Sequence, residues 1–342
     1  MTNLTAPESG AFPRFPQSWY FVCTTKALPP GNVLAIRLCE RSLVVFRTEG
    51  GPVGALAARC PHLGSDLSLG QVVGDAVECP YHRFRFGRTG RCAEHGLQTT
   101  AYPVEERFGA IFVFLGTAPL FPLPNFPDRV DLVSAEPAQW DLDTQWYMVG
   151  ANAFDARHFA YAHDRHLVSP PVLSSPHRYA LHINYRYEIA GATWIDRATR
   201  FVSGSTVEFD VTAWGGNMAL VTARFERDRS FGVVIVEPRY VPSSPSTRGV
   251  RVTVIVNAAS RGRSIGARIV DRIIVGAKRF AIRRMLIDDA KGIKQLDYVP
   301  SGLKTGDESL ASYLRWVADL PAANNSEPRN VTNKGEGVHA NE

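Results

Sequence analysis

The feature that most restricts this 342-residue chain is a pair of matching short segments, RCPHLG at 59–64 and CPYHRF at 79–84. They read Cys60-x-His62 and, after sixteen residues, Cys79-x-x-His82. Each half offers one thiol and one imidazole on a tight turn. Four such side chains can hold zinc, but a zinc finger usually brings its ligands as a cysteine pair and a histidine pair. Two Cys–His pairs suit a [2Fe–2S] cluster instead, with two thiolates on one iron and two imidazoles on the other. Pro61, Pro80 and Gly64 fit loops folded round such a cluster. Scattered core cysteines and surface histidines would not repeat in two matching halves.

A second constellation lies downstream. The segment 152–163, NAFDARHFAYAH, holds Asn152, Asp155, His158 and His163. If helical, Asn152, Asp155 and His158 fall near one face. His163 lies slightly beyond one turn, so the helix must end or bulge to bring both imidazoles to one metal. Two histidines and a carboxylate that leave open positions form the facial triad of non-haem Fe(II) oxygenases. By itself His158-x4-His163 is equally compatible with a surface role.

The combination resembles the Rieske non-haem iron oxygenases, specifically their oxygenase (α) subunits, over about residues 19–298. The order is theirs: cluster motif, then N-x-x-D-x-x-H-x4-H, then a distant acid. The resemblance implies a cluster on Cys60, His62, Cys79 and His82, and a mononuclear Fe(II) on His158, His163 and an acid of MLIDDAKGIKQLDY. Asp289 is preferred, because Ile293 and Tyr298 after it match the family pattern. Asp288 is the alternative and Asp297 a poorer third. High-potential Rieske proteins carry two further cysteines, and here those positions are Ser65 and Tyr81, so the resemblance is to the lower-potential branch. Where family oxygenases often have Gly-Trp after the second cluster histidine, this chain has Arg83-Phe84.

The resemblance also implies a head-to-tail homotrimer in which one subunit's cluster serves its neighbour's iron. Asp155 matches the acid that bridges His158 to His62 or His82 of the neighbour. Its alternative is an ordinary helix cap. Asn152 is expected near the iron. No G-x-G-x-x-G follows a strand, so electrons from NAD(P)H are expected through a separate reductase or ferredoxin. Arg83, Arg85, Arg88 and Arg91 are candidates for steering an acidic donor, or else a solvated edge.

The rest of the chain is consistent with this. Short β-rich runs at 33–38, 42–48, 53–58 and 110–115 suggest a small all-β unit. The proline-rich PLFPLPNFP at 119–127 reads as an extended connector. Strand-like runs follow at 178–189, 206–212, 219–225, 233–240 and 250–257. A helical pattern then spans about 264–296, with Ile265, Ile269, Ile273, Phe280 and Ile287 near helical spacing. The expected class is α+β: a Rieske domain, then an antiparallel sheet packed on a long C-terminal helix, a helix-grip domain. The expected divisions are a loose N-terminus at 1–16, the Rieske domain at 17–118, the connector at 119–128, the catalytic domain at 129–321 and a disordered tail at 322–342.

Composition narrows the classes further. Net charge is +5 with 21% charged residues, short of a nucleic-acid-binding composition. The basic stretch 268–284 invites a membrane or nucleic-acid reading, but its apolar residues are expected to pack on the sheet. No run of about 18 apolar residues and no charged-then-apolar leader is present. Five widely spaced cysteines do not form a disulfide framework. Cys23, Cys39 and Cys92 are expected to be buried hydrophobes, and the reducing cytoplasm is the expected compartment.

The expected activity is oxygenation of a small aromatic or otherwise apolar substrate. Alternatives within the family are N-oxygenation, demethylation, desaturation and oxidative cyclisation. Cluster segment and length look nearest to the single-subunit-type enzymes, including the aminopyrrolnitrin oxygenase group. The rival outside the enzyme class is a Rieske electron-transfer protein.

Overall fold

A computed structural model describes residues 5–127, 131–191, 193–239, 249–294 and 296–323. Its N-terminal half is built only of strands and short 3-10 turns, and the strands form small sheets. Strands β1 (Trp19–Thr24), β2 (Val33–Leu38), β3 (Arg41–Arg47) and β4 (Val53–Ala57) come first. The cluster segments occupy the stretch that holds β5 (Gln71–Val73), β6 (Ala76–Glu78) and β7 (Arg85–Gly87). The half closes with β8 (Arg91–Cys92), β9 (Leu97–Gln98), β10 (Ala101–Tyr102), β11 (Val104–Arg107) and β12 (Ala110–Phe114). Alternation is weak in β3 and β12, which are buried on both faces.

The C-terminal half is one nine-stranded antiparallel sheet with helices on its inner face. Its long strands are β17 (Ala180–Ile189), β18 (Thr206–Trp214), β19 (Met218–Phe225), β20 (Arg229–Pro238) and β21 (Val250–Ala259). Strands β13 (Leu132–Ser134) and β14 (Ala138–Leu142) pair with β21 at one edge; β15 (Arg165–Leu167) and β16 (Val172–His177) pair with β17 at the other. In β17 the odd residues Ile183, Tyr185, Tyr187 and Ile189 are buried, while Arg186 and Glu188 face solvent. That period of two fixes which face meets the helices.

The helices are α1 (Trp146–Ala153), α2 (Ala156–His163), α3 (Trp194–Val202), α4 (Ile265–Ile293) and α5 (Glu308–Ala318). The expected α+β class and the long C-terminal helix are therefore present. The stripe assigned to sheet packing is not the one that packs. Ile265, Ile269, Ile273 and Phe280 are exposed, and the buried α4 residues are Asp271, Val275, Asp289 and Ile293. A helix with two apolar faces gives periodicity for both, and spacing alone does not say which one meets the sheet.

The proline-rich stretch is a wedge rather than a loose tether. Phe121, Leu123 and Phe126 are buried in one core with Trp19, Phe112 and Phe114 of the first half and with Met218, Phe231 and Ile255 of the sheet. Fully burying a phenylalanine contributes up to about 3 kcal/mol, so these rings tie the two halves together. The described N-terminal residues are also ordered. Phe12 stacks on Tyr147 at 3.7 Å, Trp146 Nε1 donates to Pro13 O, and Tyr298 Oη donates to Pro7 O. Of the tail expected to be disordered, Ala322 and Ala323 pair with Pro16 and Phe15; from Asn324 on it lies outside the described residues.

Candidate metal centres

The two cluster segments fold into backbone twins. Cys60 N–H donates to Ser65 O and Gly64 N–H to Cys60 O; likewise Cys79 N–H donates to Phe84 O and Arg83 N–H to Cys79 O. Each loop therefore needs a left-handed residue four places after its cysteine. In the first that is Gly64 at φ +77, in the second Arg83 at φ +61. This conformation favours glycine, which gives the departure from Gly-Trp a backbone meaning. Phe84, in turn, lies 5.1 Å from the His62 ring and 5.7 Å from the His82 ring.

The four side chains separate by type. Cys60 and Cys79 are buried, while His62 and His82 are exposed with their Nδ1 atoms 3.0 Å apart. Burial pushes the Cys60 thiol up. At Cys79 burial also pushes upward, but the Tyr81 and His82 amides, the Ser65 hydroxyl and the Cys60 thiol outweigh it and leave the thiol below its usual range. Amides aimed at sulfur favour thiolate. Among the described residues these four do not bring three ligand atoms within 4.8 Å of one another. A buried sulfur pair and a separate imidazole pair fit a two-iron cluster and not a single zinc ion.

The second centre is assembled from two distant helices. Asp155 caps α2, its Oδ1 accepting from the amides of Arg157 and His158. This cap breaks the helix expected across 152–158 and leaves Asn152 on α1, in the turn before the break. His163 is the last residue of α2, and Asp164 after it turns left-handed at φ +48. Arg165 holds that end: it donates to His163 O and pairs with Asp196 at 2.8 Å.

Opposite stands Asp289, on the buried face of α4. His158 Nε2 lies 3.0 Å and His163 Nε2 2.7 Å from Asp289 Oδ1. The three ligand atoms fall within 4.8 Å of one another. His158 and Asp289 have hydrogen-bond geometry. His163 Nε2 is buried and lies closer still to the same carboxylate oxygen. Such crowding of electron-rich atoms fits a cation between them. Burial pushes the Asp289 carboxyl up, but the two imidazoles outweigh it and hold the carboxyl below the ordinary range. Asp288 is exposed and paired with Lys291 at 3.0 Å, facing away from the histidines. Asp297 is not part of the group.

Residues that the sequence did not single out line the inner side. Phe159 packs on Tyr185, Tyr187 and Phe209. Tyr185 Oη donates to Ala153 O, whereas the buried Tyr187 Oη has no partner among the described residues. Alternation along β17 could have placed both tyrosines inward. A cavity of about 330 Å³, lined by Arg186, Glu208, Arg224 and Glu226, lies on the outer face of the sheet and is polar. It is not the space beside the histidines. Of the four candidate steering arginines, Arg85 is engaged by Glu78 at 2.9 Å.

Comparison with known proteins agrees with this geometry. Residues 18–105 match the Rieske [2Fe-2S] domain. Cholesterol 7-desaturase of Bombyx mori is 30% identical over 46% of this chain and 37% of its own length. The oxygenase component of chloroacetanilide N-alkylformylase from Rhizorhabdus wittichii (strain DC-6 / KACC 16600) is 31% identical over 46% of this chain and 49% of its own. The chain thus spans less than half the length of these relatives. In structure, dicamba monooxygenase bound to dicamba superposes with TM-score 0.58 at 19% identity, covering 88% of this chain and 96% of that one. The chain thus carries a Rieske [2Fe-2S] domain and, over 88% of its length, shares the fold of dicamba monooxygenase. No described helix is long and apolar enough to cross a membrane.

Proposed function

We propose that this chain is the oxygenase component of a Rieske system that oxidises a small, largely apolar organic substrate with O2. Electrons come from NAD(P)H through a separate reductase or ferredoxin. The observation that carries this is the convergence of His158, His163 and Asp289 on one point in a chain that also holds the cluster ligands. A carrier of electrons alone has no use for a buried facial triad.

Cys60, Cys79, His62 and His82 would hold the cluster; His158, His163 and Asp289 would hold Fe(II). Bound there, the pair supplies stored single electrons and an open-sided ferrous ion that can take up dioxygen. The chain's own contribution is positional. Asp155 fixes the start of α2, and Arg165 with Asp196 fixes its end, so both imidazoles are held before any ligand arrives. Phe159, Tyr185 and Phe209 make the neighbouring wall apolar and exclude water. The buried Tyr187 hydroxyl has no partner among the described residues, and it would orient a polar group of the substrate.

The exposed imidazole pair suits transfer to a neighbouring subunit in a cyclic trimer, with Asp155 as the bridge. Hydroxylation or a related monooxygenation is the main reading. Demethylation and desaturation are supported by relatives named as a methylxanthine N1-demethylase and a cholesterol desaturase. Five free cysteines suit a reducing cytoplasm.

Iron analysis of fully loaded protein tests the proposal. About three irons per chain, with substrate-dependent O2 uptake across a panel of aromatic and steroidal compounds, supports it. Two irons and no uptake identify an electron carrier.

A further inference from the structure

The solvent-facing side of α4 is apolar and cationic at once. Ile265, Ile269, Ile273 and Phe280 are 79%, 54%, 66% and 62% exposed, and with the half-buried Ile287 they recur on the side of the helix away from the buried Asp271, Val275, Asp289 and Ile293. Arg268, Arg272, Arg283 and Arg284, all exposed, flank this ridge. Between residues 261 and 287 the only acid is Asp271, which is buried. No carboxylate pairs with Arg268, Arg272 or Arg283 among the described residues.

A second exposed apolar ridge stands close by. In α3, Trp194, Phe201 and Val202 are exposed beside Arg197. Both helices are pinned to the turn between β19 and β20: Arg227 donates to Phe201 O at 2.6 Å, and Lys278 pairs with Asp228 at 2.6 Å. The two ridges therefore belong to the same end of the sheet.

We propose that this surface docks the protein on an anionic phospholipid bilayer, with α4 lying in the headgroup plane. An apolar ridge bordered by arginines, with an aromatic girdle beside it, is the composition of an interfacial helix. The charge pattern selects this occupant. A second copy packed ridge to ridge would set arginines against arginines, and a head-to-tail neighbour would have to bring an acidic surface from a chain of net charge +5. A nucleic acid would satisfy the arginines but press isoleucines against phosphates. An anionic bilayer offers negative headgroups at the height of the guanidinium groups and acyl chain beneath the isoleucines. The contact is peripheral, since no described helix can span the membrane.

The test is sedimentation of the full chain, loaded with its metals, with vesicles of phosphatidylcholine alone or mixed with phosphatidylglycerol. Binding is expected to the mixed vesicles and to weaken at high salt. Arg268→Glu with Arg272→Glu should raise the lipid concentration for half-binding about thirtyfold or more. Ile269→Asp with Ile273→Asp should abolish binding, with the visible absorption of the cluster unchanged as a check on folding. Brominated lipid should quench a fluorescence component that Trp194→Phe removes. Absence of vesicle binding, or binding indifferent to both double variants, overturns the proposal. So does an oligomer in sedimentation velocity that Ile273→Asp splits, which would give the ridge to a second copy. Release from vesicles by duplex DNA, with tighter binding to the DNA, would give it to a nucleic acid.

Discussion

The two candidate metal centres of this protein are built in opposite ways. The cluster site is local: four ligands within one short stretch, on twin loops whose hydrogen bonds close on themselves. Its histidines stand in solvent. The triad is remote: His158 and Asp289 lie 131 residues apart and meet only when α2 and α4 pack against each other. A local site can form wherever its loop folds, whereas a remote one exists only as a consequence of a finished core.

Removal of one ligand from each site tests that contrast most strongly. Cys79→Ser should bleach the cluster while leaving iron at the triad; His163→Ala should do the reverse. Each should lower product formation by at least about 100-fold, the upper end for loss of a mere supporting partner. Bleaching of the cluster in His163→Ala, read by visible absorption, would break the independence of the sites.

Asp155 sharpens the contrast next, because the cap it forms on α2 and its proposed bridging role make different demands on its side chain. Asp155→Ala removes the cap of α2 at a cost of about 1 kcal/mol, while Asp155→Asn keeps a capping oxygen and removes the charge. If the bridge between subunits is real, both variants lose product formation by more than about tenfold although only the first is destabilised in thermal melts. Normal turnover by Asp155→Asn would reduce the residue to a cap.

A smaller effect separates the halves by pH. Burial pushes the Asp196 carboxyl up, but Thr193 and Arg165 outweigh it and leave it below the ordinary range. A depressed carboxyl contributes stability that is present above its unfolded pKa of about 3.9 and lost as pH falls through the folded value. Asp196→Asn should therefore cost about 2 kcal/mol near neutral pH and progressively less in acid. The loss should appear as freed mobility at the end of α2, near His163, with the cluster loops unaffected. Hydrogen exchange would show it.

The smallest expected effect is a gain. Arg83 holds a left-handed conformation at φ +61, so Arg83→Gly should stabilise the second cluster loop by up to about 1 kcal/mol. A fall in melting temperature in this variant would mean that the arginine side chain offsets its own strain.

How far these sites could be read from sequence follows the same division. The cluster ligands were legible because their spacing is fixed by the loops that carry them. His158 and His163 were legible as a pair, and the break at Phe154 only through the alternative reading of Asp155 as a helix cap, which the metal-ligand spacing placed second. Asp289 was separated from Asp288 by family pattern, not by periodicity. Its own face of α4, with Val275 and Ile293, is less apolar in sequence than the solvent face, and the louder stripe misdirected the packing. Helices α3 and α5 were missed for a related reason: they are short, and tertiary contacts such as Tyr313 on Phe154, with ring centroids 4.6 Å apart, fix them more than propensity does.

One feature of the fold bears on how the chain must be assembled in time. The early residues are sewn to the late ones: Arg315 donates to Thr5 O across 310 residues, and Tyr298 to Pro7 O across 291. During synthesis residues 5–7 wait for residues 298–315 before these partners exist. The cluster loops can therefore be complete while the seam between residues 5–7 and 298–315 is still open. Cluster loops that need no part of that seam could take up iron and sulfide before it closes, and a variant that opens the seam, such as Tyr298→Phe, should leave the cluster's visible absorption unchanged.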